Sequence, residues 1–481
     1  MLHAGRSLLA PLPCSFVFPH AVSNPFAAYR RLPRHIVQFT LAEFFMHLGN
    51  AAFFLILNIY MRKSGYSDAG IADFLSGRHL TVMLLAYPLG RLVQRRPILP
   101  ILIASGIAFP ILSFLLVQAV AHGWDRALYP IFGAWGAAFF GVRAVAIPYM
   151  LRNCPVDLHS EALALNFSSW SMAMIAAGGL NWLLTRLNPE LFTEAVLLQA
   201  FAAVGFVSLY FLSRIKQDDY NPNAGRVAAG DWKLIATALG PTVVIAVGAG
   251  LTIQFMNLFF YNVFGMDYDV FSLLGAGTAV LASIAVLQVP RIKGRFGYRG
   301  SITVTQSIAV LALVGLATTE YYAAAPWAIG LAVGLYALRQ PMMNMANPMT
   351  SELAMYFVGE KNREMTSALT GAVWSGSWFF SSIIFSQLRR IEVPYAQIFY
   401  LTAILYALGV LGFYRLIGIY ERREAQRQLV RDNLYAAREA VLSGSGTSSD
   451  IGEIGNDPSS APGSAPRNTP GRGTNTNSKY P

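Results

Sequence analysis

The chain has 481 residues, of which 54% are hydrophobic and 13% charged, with a formal net charge of +11 and a mean hydropathy of +0.45. A soluble domain carries roughly 25% charged residues, so there is too little charge here to coat a water-facing surface around this much apolar material. Two distant cysteines, Cys14 and Cys154, exclude a disulfide scaffold and a cysteine-ligated zinc or iron–sulfur centre. No metal or other cofactor is expected. Basic residues confined to short loops exclude a nucleic-acid-binding face.

Residues 1–35 read as a cytoplasmic lead-in that ends in the basic run from Tyr29 to Arg34. Apolar stretches long enough to cross about 30 Å of hydrocarbon, at about 1.5 Å per residue, then succeed one another. They fall at 36–60, 70–90, 98–120, 128–150, 162–184 and 192–213, and again at 236–263, 271–290, 301–318, 326–348, 365–387 and 396–418. Continuous runs of this length exclude an outer-membrane barrel, whose strands alternate over about 10 residues. A polar, turn-rich linker at 214–235 divides the segments into halves at 36–213 and 236–418. Residues 419–442 read as a charged cytoplasmic helix. Residues 443–481, rich in Gly, Ser, Pro, Thr and Asn, read as a disordered tail. The expected fold class is an all-α membrane protein with twelve transmembrane helices.

Orientation follows from the basic residues. With the N-terminus inside, the inner loops between spans carry fourteen Lys and Arg, whereas the outer ones carry Arg62, Lys63, Arg126, Arg186, Arg389 and Arg390. That excess favours both termini in the cytoplasm, and the expected location is a bacterial-type inner membrane.

The halves echo one another. The loop from Gly90 to Arg96 and the loop from Lys293 to Arg299 are both short, basic and glycine-containing. Arg143 is followed by Pro148, and Arg339 by Pro341 and Pro348. Trp170–Ser171 and Trp374–Ser375 then recur in the next segments. On these residues the chain resembles the major facilitator superfamily over 36–418. The first loop is a degraded form of that family's G-x-x-x-D-R-x-x-R-R pattern, onto which Gly90, Arg95 and Arg96 carry over as a gating loop. It has no Asp, so the usual charge clamp has no counterpart there. The exporters' glycine motif survives as Gly178–Gly179 alone, which does not support proton-antiport export. The resemblance implies two pseudo-symmetric six-helix bundles that rock about a midplane substrate site.

An ionised group at mid-bilayer costs about 2.5–3.5 kcal/mol on insertion scales, so polar residues inside spans are the candidate site. Glu43, His47 and Asn50 recur at i, i+4 and i+7 and share one helical face. A carboxylate loses its charge when desolvated and keeps it beside an arginine. Alternating between those settings would load and release a proton at Glu43, with His47 beside it; a fixed pairing with an arginine is the structural alternative. Arg78 (next to His79), Arg143 and Arg339 leave the expected cavity net positive. An anionic solute would complete the charge balance through two parallel hydrogen bonds; the alternative is bonding to backbone carbonyls around a neutral solute. Gln254, Asn257, Gln340, Asn344 and Asn347 offer hydrogen bonds to a solute or between helices. Trp170 and Trp374, with Trp378, offer rings for stacking or simple filling. No catalytic motif is present: neither G-x-S-x-G, nor a phosphate-cradling loop, nor H-E-x-x-H.

The expected function is therefore a secondary transporter of a small organic solute, working as a monomer in the lipid bilayer and coupled to protons. An exporter of amphiphilic or drug-like compounds is the alternative within transport. From another class comes a transporter-shaped sensor or lipid-handling protein without net flux.

Overall fold

The computed structural model describes residues 29–95, 97–155, 158–215, 231–359 and 362–442. Among these residues every regular element is helical. The expected lead-in, linker and tail, except for their ends, fall outside the described residues. So does Arg96, together with the surroundings of Gly90 and the side chain of Arg95 in the expected gating loop.

The first half contains α1 (Arg34–Lys63), α2 (Asp68–Arg95), α3 (Leu99–Ala121), α4 (Asp125–Asn153), α5 (His159–Leu187), α6 (Glu194–Val204) and α7 (Val207–Leu212). The second contains α8 (Trp232–Thr252), α9 (Met256–Phe264), α10 (Tyr268–Leu287), α11 (Val289–Thr318), α12 (Ala328–Val358), α13 (Arg363–Arg390) and α14 (Tyr395–Leu442). Local chemistry sets the ends. Asp231 caps α8 by accepting from the Leu234 N–H at 3.1 Å, and Asp267 precedes α10 and accepts from the Tyr268 N–H at 2.7 Å. Gly65, at φ 96°, turns the chain between α1 and α2, where an L side chain would be strained.

Nine helical stretches are long and apolar enough to cross a membrane, among the described residues. Those of α2, α12 and α13 fall short, and they are the ones that carry Arg78–His79, the Arg339–Asn347 polar series and a serine- and threonine-rich face. Polar residues dilute the hydropathy of the helices that build the interior. The chain divides into two compact units after Tyr420. The second holds the charged continuation of α14, where Arg427 pairs with Glu424 at 2.8 Å.

Two breaks interrupt the helical segments. Between α6 and α7 a Cβ on Gly205 would lie 3.0 Å from the Pro110 ring of α3, so the proline of one helix sits against the glycine of the next. Between α8 and α9 the backbone tightens into a 3₁₀ turn at Ile253–Phe255, which re-aims Gln254 and Asn257.

The halves meet along α2 against α13 and α5 against α10. Small residues allow this approach, as in other membrane helix pairs. At Gly178 a Cβ would come within 2.3 Å of the Ser272 carbonyl oxygen, and one turn on Asn181 donates to Ser272 Oγ at 2.6 Å. Of the pair Gly178–Gly179, only the first faces the partner helix; a Cβ on Gly179 would meet nothing within 4 Å. Gly178→Ala should therefore cost about 1–3 kcal/mol of stability by overpacking, whereas Gly179→Ala should leave it unchanged or slightly raised. Thermal unfolding of the two purified variants checks this; equal midpoints would contradict it.

Candidate functional site

A small cavity with about 30 Å³ of free space lies where the two halves meet. It is lined by Phe53, Phe54, Leu57 and Asn58 of α1, Leu75, Arg78 and His79 of α2, Trp135 of α4, Gln254 of the 3₁₀ turn and Trp378 of α13. The broken helix supplies its hub. Gln254 Nε2 donates to the Gly250 carbonyl at 2.8 Å and to Ser382 Oγ at 2.9 Å. That orients the amide so its oxygen faces His79 Nε2 at 2.9 Å, and His79 therefore carries its proton on Nε2. The Gln254 backbone oxygen, which an unbroken helix would use internally, accepts from Asn58 Nδ2 at 2.6 Å. Asn58 also donates to Asn257 Oδ1 at 3.0 Å, and Asn257 in turn reaches the Leu55 carbonyl at 3.4 Å.

Arg78 lies over the Trp135 ring, 4.1 Å from its centroid, and donates through Nη2 to Asn50 Oδ1 at 3.1 Å. It fits there because α4 has glycine next to that tryptophan: a Cβ on Gly136 would fall 2.7 Å from Arg78 Cγ. His79 meets the Trp378 ring edge-on at 5.3 Å. Trp378 Nε1 is buried without a hydrogen-bond partner among the described residues.

A second cluster sits between α1 and α5. Glu43 is 1% exposed; its Oε2 accepts from Asn166 Nδ2, and its Oε1 has no partner among the described residues. Ser169 spends its own hydroxyl proton on the Asn166 carbonyl at 2.7 Å, so His47 Nδ1, 2.9 Å away, must be the donor to it. His47 Nε2 is then a buried acceptor without a partner among the described residues. Trp170 packs edge-on against the His47 ring at 5.6 Å. Arg143, exposed on α4, is the cation acting electrostatically on both Glu43 and His47.

The expected site residues thus separate into groups. Arg78, Asn50, Gln254 and Asn257 come together at or beside the cavity. Glu43, His47 and Trp170 form the second cluster, with Arg143 acting on it. Trp374 stands behind the cavity wall, 6.4 Å from Trp378. Arg339 lies elsewhere: it is 1% exposed and donates to Tyr406 OH at 3.2 Å and Gln340 Oε1 at 3.1 Å. Gln340 and Asn344 bond within their own helix, and Asn347 is exposed. Sequence reasoning missed Trp135 and Asn58 as lining residues and named His79 and Trp378 only in passing. Asn58 stands alone as a polar residue in an apolar run, which is a readable signal; Trp135 carries none.

It also missed the bonds that join the halves at the end where α1 and α5 finish and α2 and α10 begin. Asp68, 5% exposed, accepts from Arg389 Nη2 at 3.0 Å, Tyr395 OH at 2.6 Å and Asn262 Nδ2 at 3.1 Å. Asp73 pairs with Arg390 at 2.6 Å. Lys63 bridges Glu194 of its own half and, at 2.7 Å, Asp267 of the other. Arg186 approaches Asp269 at 3.6 Å. In the turn nearby, burial and the Asp125 carboxylate push the Tyr66 phenol up to about 12, so it remains a donor to Asp125 at neutral pH. The described hydrogen bonds and ion pairs that join the halves all run from His79–Gln254 outward to this end.

Comparison with known proteins agrees with this architecture. The family model described as Major Facilitator Superfamily matches residues 39–382. The solved structure of a D-xylose–proton symporter superposes with a TM-score of 0.63 at 13% identity, covering 80% of this chain and 97% of that one. For the nucleoside transporter NupG the score is 0.59 at 13% identity, covering 80% and 99%. A bacterial homologue of the iron transporter ferroportin, in an inward-facing state, scores 0.60 at 15% identity, covering 80% and 98%. At these identities the likeness is one of fold. A sequence comparison with curated proteins finds no match.

Removing one member of a buried, hydrogen-bonded charge pair costs about 3–5 kcal/mol. Asp68→Ala should therefore loosen this end of the cavity. With Leu57→Cys as reporter and Cys14 and Cys154 replaced by serine, labelling by a membrane-impermeant thiol reagent should rise at least about tenfold, since 1.4 kcal/mol is a factor of ten. Arg389→Ala added to Asp68→Ala should change little further. Unchanged labelling in Asp68→Ala would show that these residues do not close the cavity.

Proposed function

We propose that this chain, which belongs to the major facilitator superfamily, is a secondary transporter that moves a small organic solute across a membrane by alternating access. It is a transporter rather than an enzyme. In this reading its helices form twelve spans in two six-helix bundles, and the protein acts as a monomer. One observation carries the reading: the cavity is lined by both halves, and on one side bonds join them. A site of this kind opens to that side when the halves part there. The discontinuous α8–α9 segment at its wall fits the same scheme, since transporters place substrate sites where helices break.

Proton coupling is supported by the α1 stripe. Glu43 and His47 each keep one buried polar atom without a partner among the described residues. Seven residues along the same face, about 10 Å at 1.5 Å per residue, Asn50 holds the cavity arginine. A change of charge in one cluster therefore has a rigid route to the other. One structural neighbour is itself a proton symporter, which fits this coupling.

The asymmetry of basic residues supports a bacterial inner membrane with both termini cytoplasmic. The bonded end is then the outer one. Five of the six cations on that side, Arg62, Lys63, Arg186, Arg389 and Arg390, are in ion pairs with carboxylates.

Reconstitution in proteoliposomes with a panel of radiolabelled sugars, nucleosides, amino acids and organic acids tests the proposal. Flux of at least one solute is expected. No flux across the whole panel would favour a sensor or lipid-handling role, and flux of amphiphilic drug-like compounds alone would favour an exporter. For the solute that moves, Glu43→Gln should abolish accumulation driven by a pH gradient while leaving solute exchange intact. Undiminished driven accumulation in that variant, with lowered thermal stability, would make Glu43 a packing residue.

A further inference from the structure

The cavity carries a charge that its own walls leave unbalanced. Arg78 is the only lining residue among those described that carries a permanent charge, and its polar neighbours Asn58, Gln254 and His79 offer no carboxylate to balance it. The acids of the same region are committed elsewhere: Asp68 to Arg389, Tyr395 and Asn262, and Asp73 to Arg390. Glu43 stands two helical turns away along α1, against Asn166.

Hydrogen-bonding capacity points the same way. The guanidinium has five N–H donors; one hydrogen bond, to Asn50, is described for it, and Trp135 covers its face. Stacking by the face leaves the in-plane N–H edges for a planar acceptor. Trp378 adds a buried N–H without a partner among the described residues. The amides around the cavity are already used, Gln254 by Gly250, Ser382 and His79, and Asn58 by Gln254 and Asn257. The lining therefore has spare donors and a spare positive charge. Its free space of about 30 Å³ admits a water or two, or a group the size of a carboxylate.

We propose that Arg78 and the Trp378 N–H form a carboxylate site, so that the solute is an organic acid whose anionic group enters this cavity. The assignment rests on the transport reading for the route by which the acid arrives, whereas the binding itself is independent of it. Arg339 belongs to no part of this site.

The test uses the full chain in detergent and follows thermal unfolding with matched probes: acetate against acetamide, benzoate against benzamide, and sodium chloride. At least one acid should raise the unfolding temperature saturably, and its amide should need at least tenfold more for the same shift. Arg78→Gln should abolish the acid response. Arg78→Lys, which keeps the charge but loses the planar fork, should weaken it about tenfold or more, and Trp378→Phe several-fold. If Arg78→Gln does not yield folded protein, the lysine and phenylalanine variants carry the same test. Equal responses to acids and amides, no response to either acid, or an undiminished response in the variants would overturn the assignment. Saturation by chloride alone, with no further effect of acids, would overturn it in favour of a halide site. Acid binding without flux in proteoliposomes would remove the transport reading and leave this site standing. Flux of a neutral solute without acid–amide discrimination would do the reverse.

Discussion

A polar or charged group removed from water must find its partner inside the protein, and in hydrocarbon there is no second choice. That constraint organises this molecule. Its apolar residues are too abundant to need explaining singly, whereas most buried polar residues are placed by what satisfies them. The 3₁₀ turn at Ile253–Phe255 frees a carbonyl, and Asn58 of the other half takes it. Gln254 is orientated by its own helix and by Ser382, and His79 completes it. Asp68 is surrounded by three donor side chains from the second half. At these buried positions the bond that joins the halves answers an otherwise unmet demand, whereas Lys63–Asp267 and Arg390–Asp73 are more exposed.

The same rule makes the exceptions informative. Ten buried side-chain atoms are without partners among the described residues, and Glu43 Oε1, His47 Nε2, Trp378 Nε1 and Arg339 Nε are four of them. Of these, Glu43 and His47 belong to the α1–α5 cluster and Trp378 lines the cavity. Arg339 lies away from it, held by Tyr406 and Gln340 within the second half. Its place opposite Arg143 in the internal repeat does not give it the same surroundings: Arg143 is exposed and acts on Glu43, whereas Arg339 is enclosed. Two positions related by the repeat share a backbone address and not an environment. Close packing adds its own requirement: Arg78 lies along α4 where Gly136 leaves room for it, and α5 approaches α10 closely at Gly178.

Much of the architecture was legible in the sequence. A hydrophobic stretch of about 20 residues is its own evidence for a membrane helix, since length and apolarity act within the segment alone. The face shared by Glu43, His47 and Asn50 was legible for the same reason, being set by the helical period. What each residue on that face meets was not. The period cannot say that His47 meets Ser169 or that Asn50 meets Arg78. The outer cations illustrate the difference. Read along the chain, Arg389 and Arg390 are two residues of an orientation tally; in space they are the partners of Asp68 and Asp73, more than three hundred positions earlier.

The sequence by itself determined that this chain is a polytopic helical membrane protein and which polar groups would be costly to bury. Those are properties of local composition and period. Most helix ends fall within a few residues of the apolar stretches, but α11 starts at Val289 rather than 301, α12 runs on to Val358, and the breaks after α6 and α8 were not foreseen. The tertiary structure alone decided which polar groups meet, that one arginine lines a cavity while another is sealed in its own half, and which described bonds join the halves around Asp68. Partner choice depends on distances between segments remote in the chain, and no local free energy encodes those.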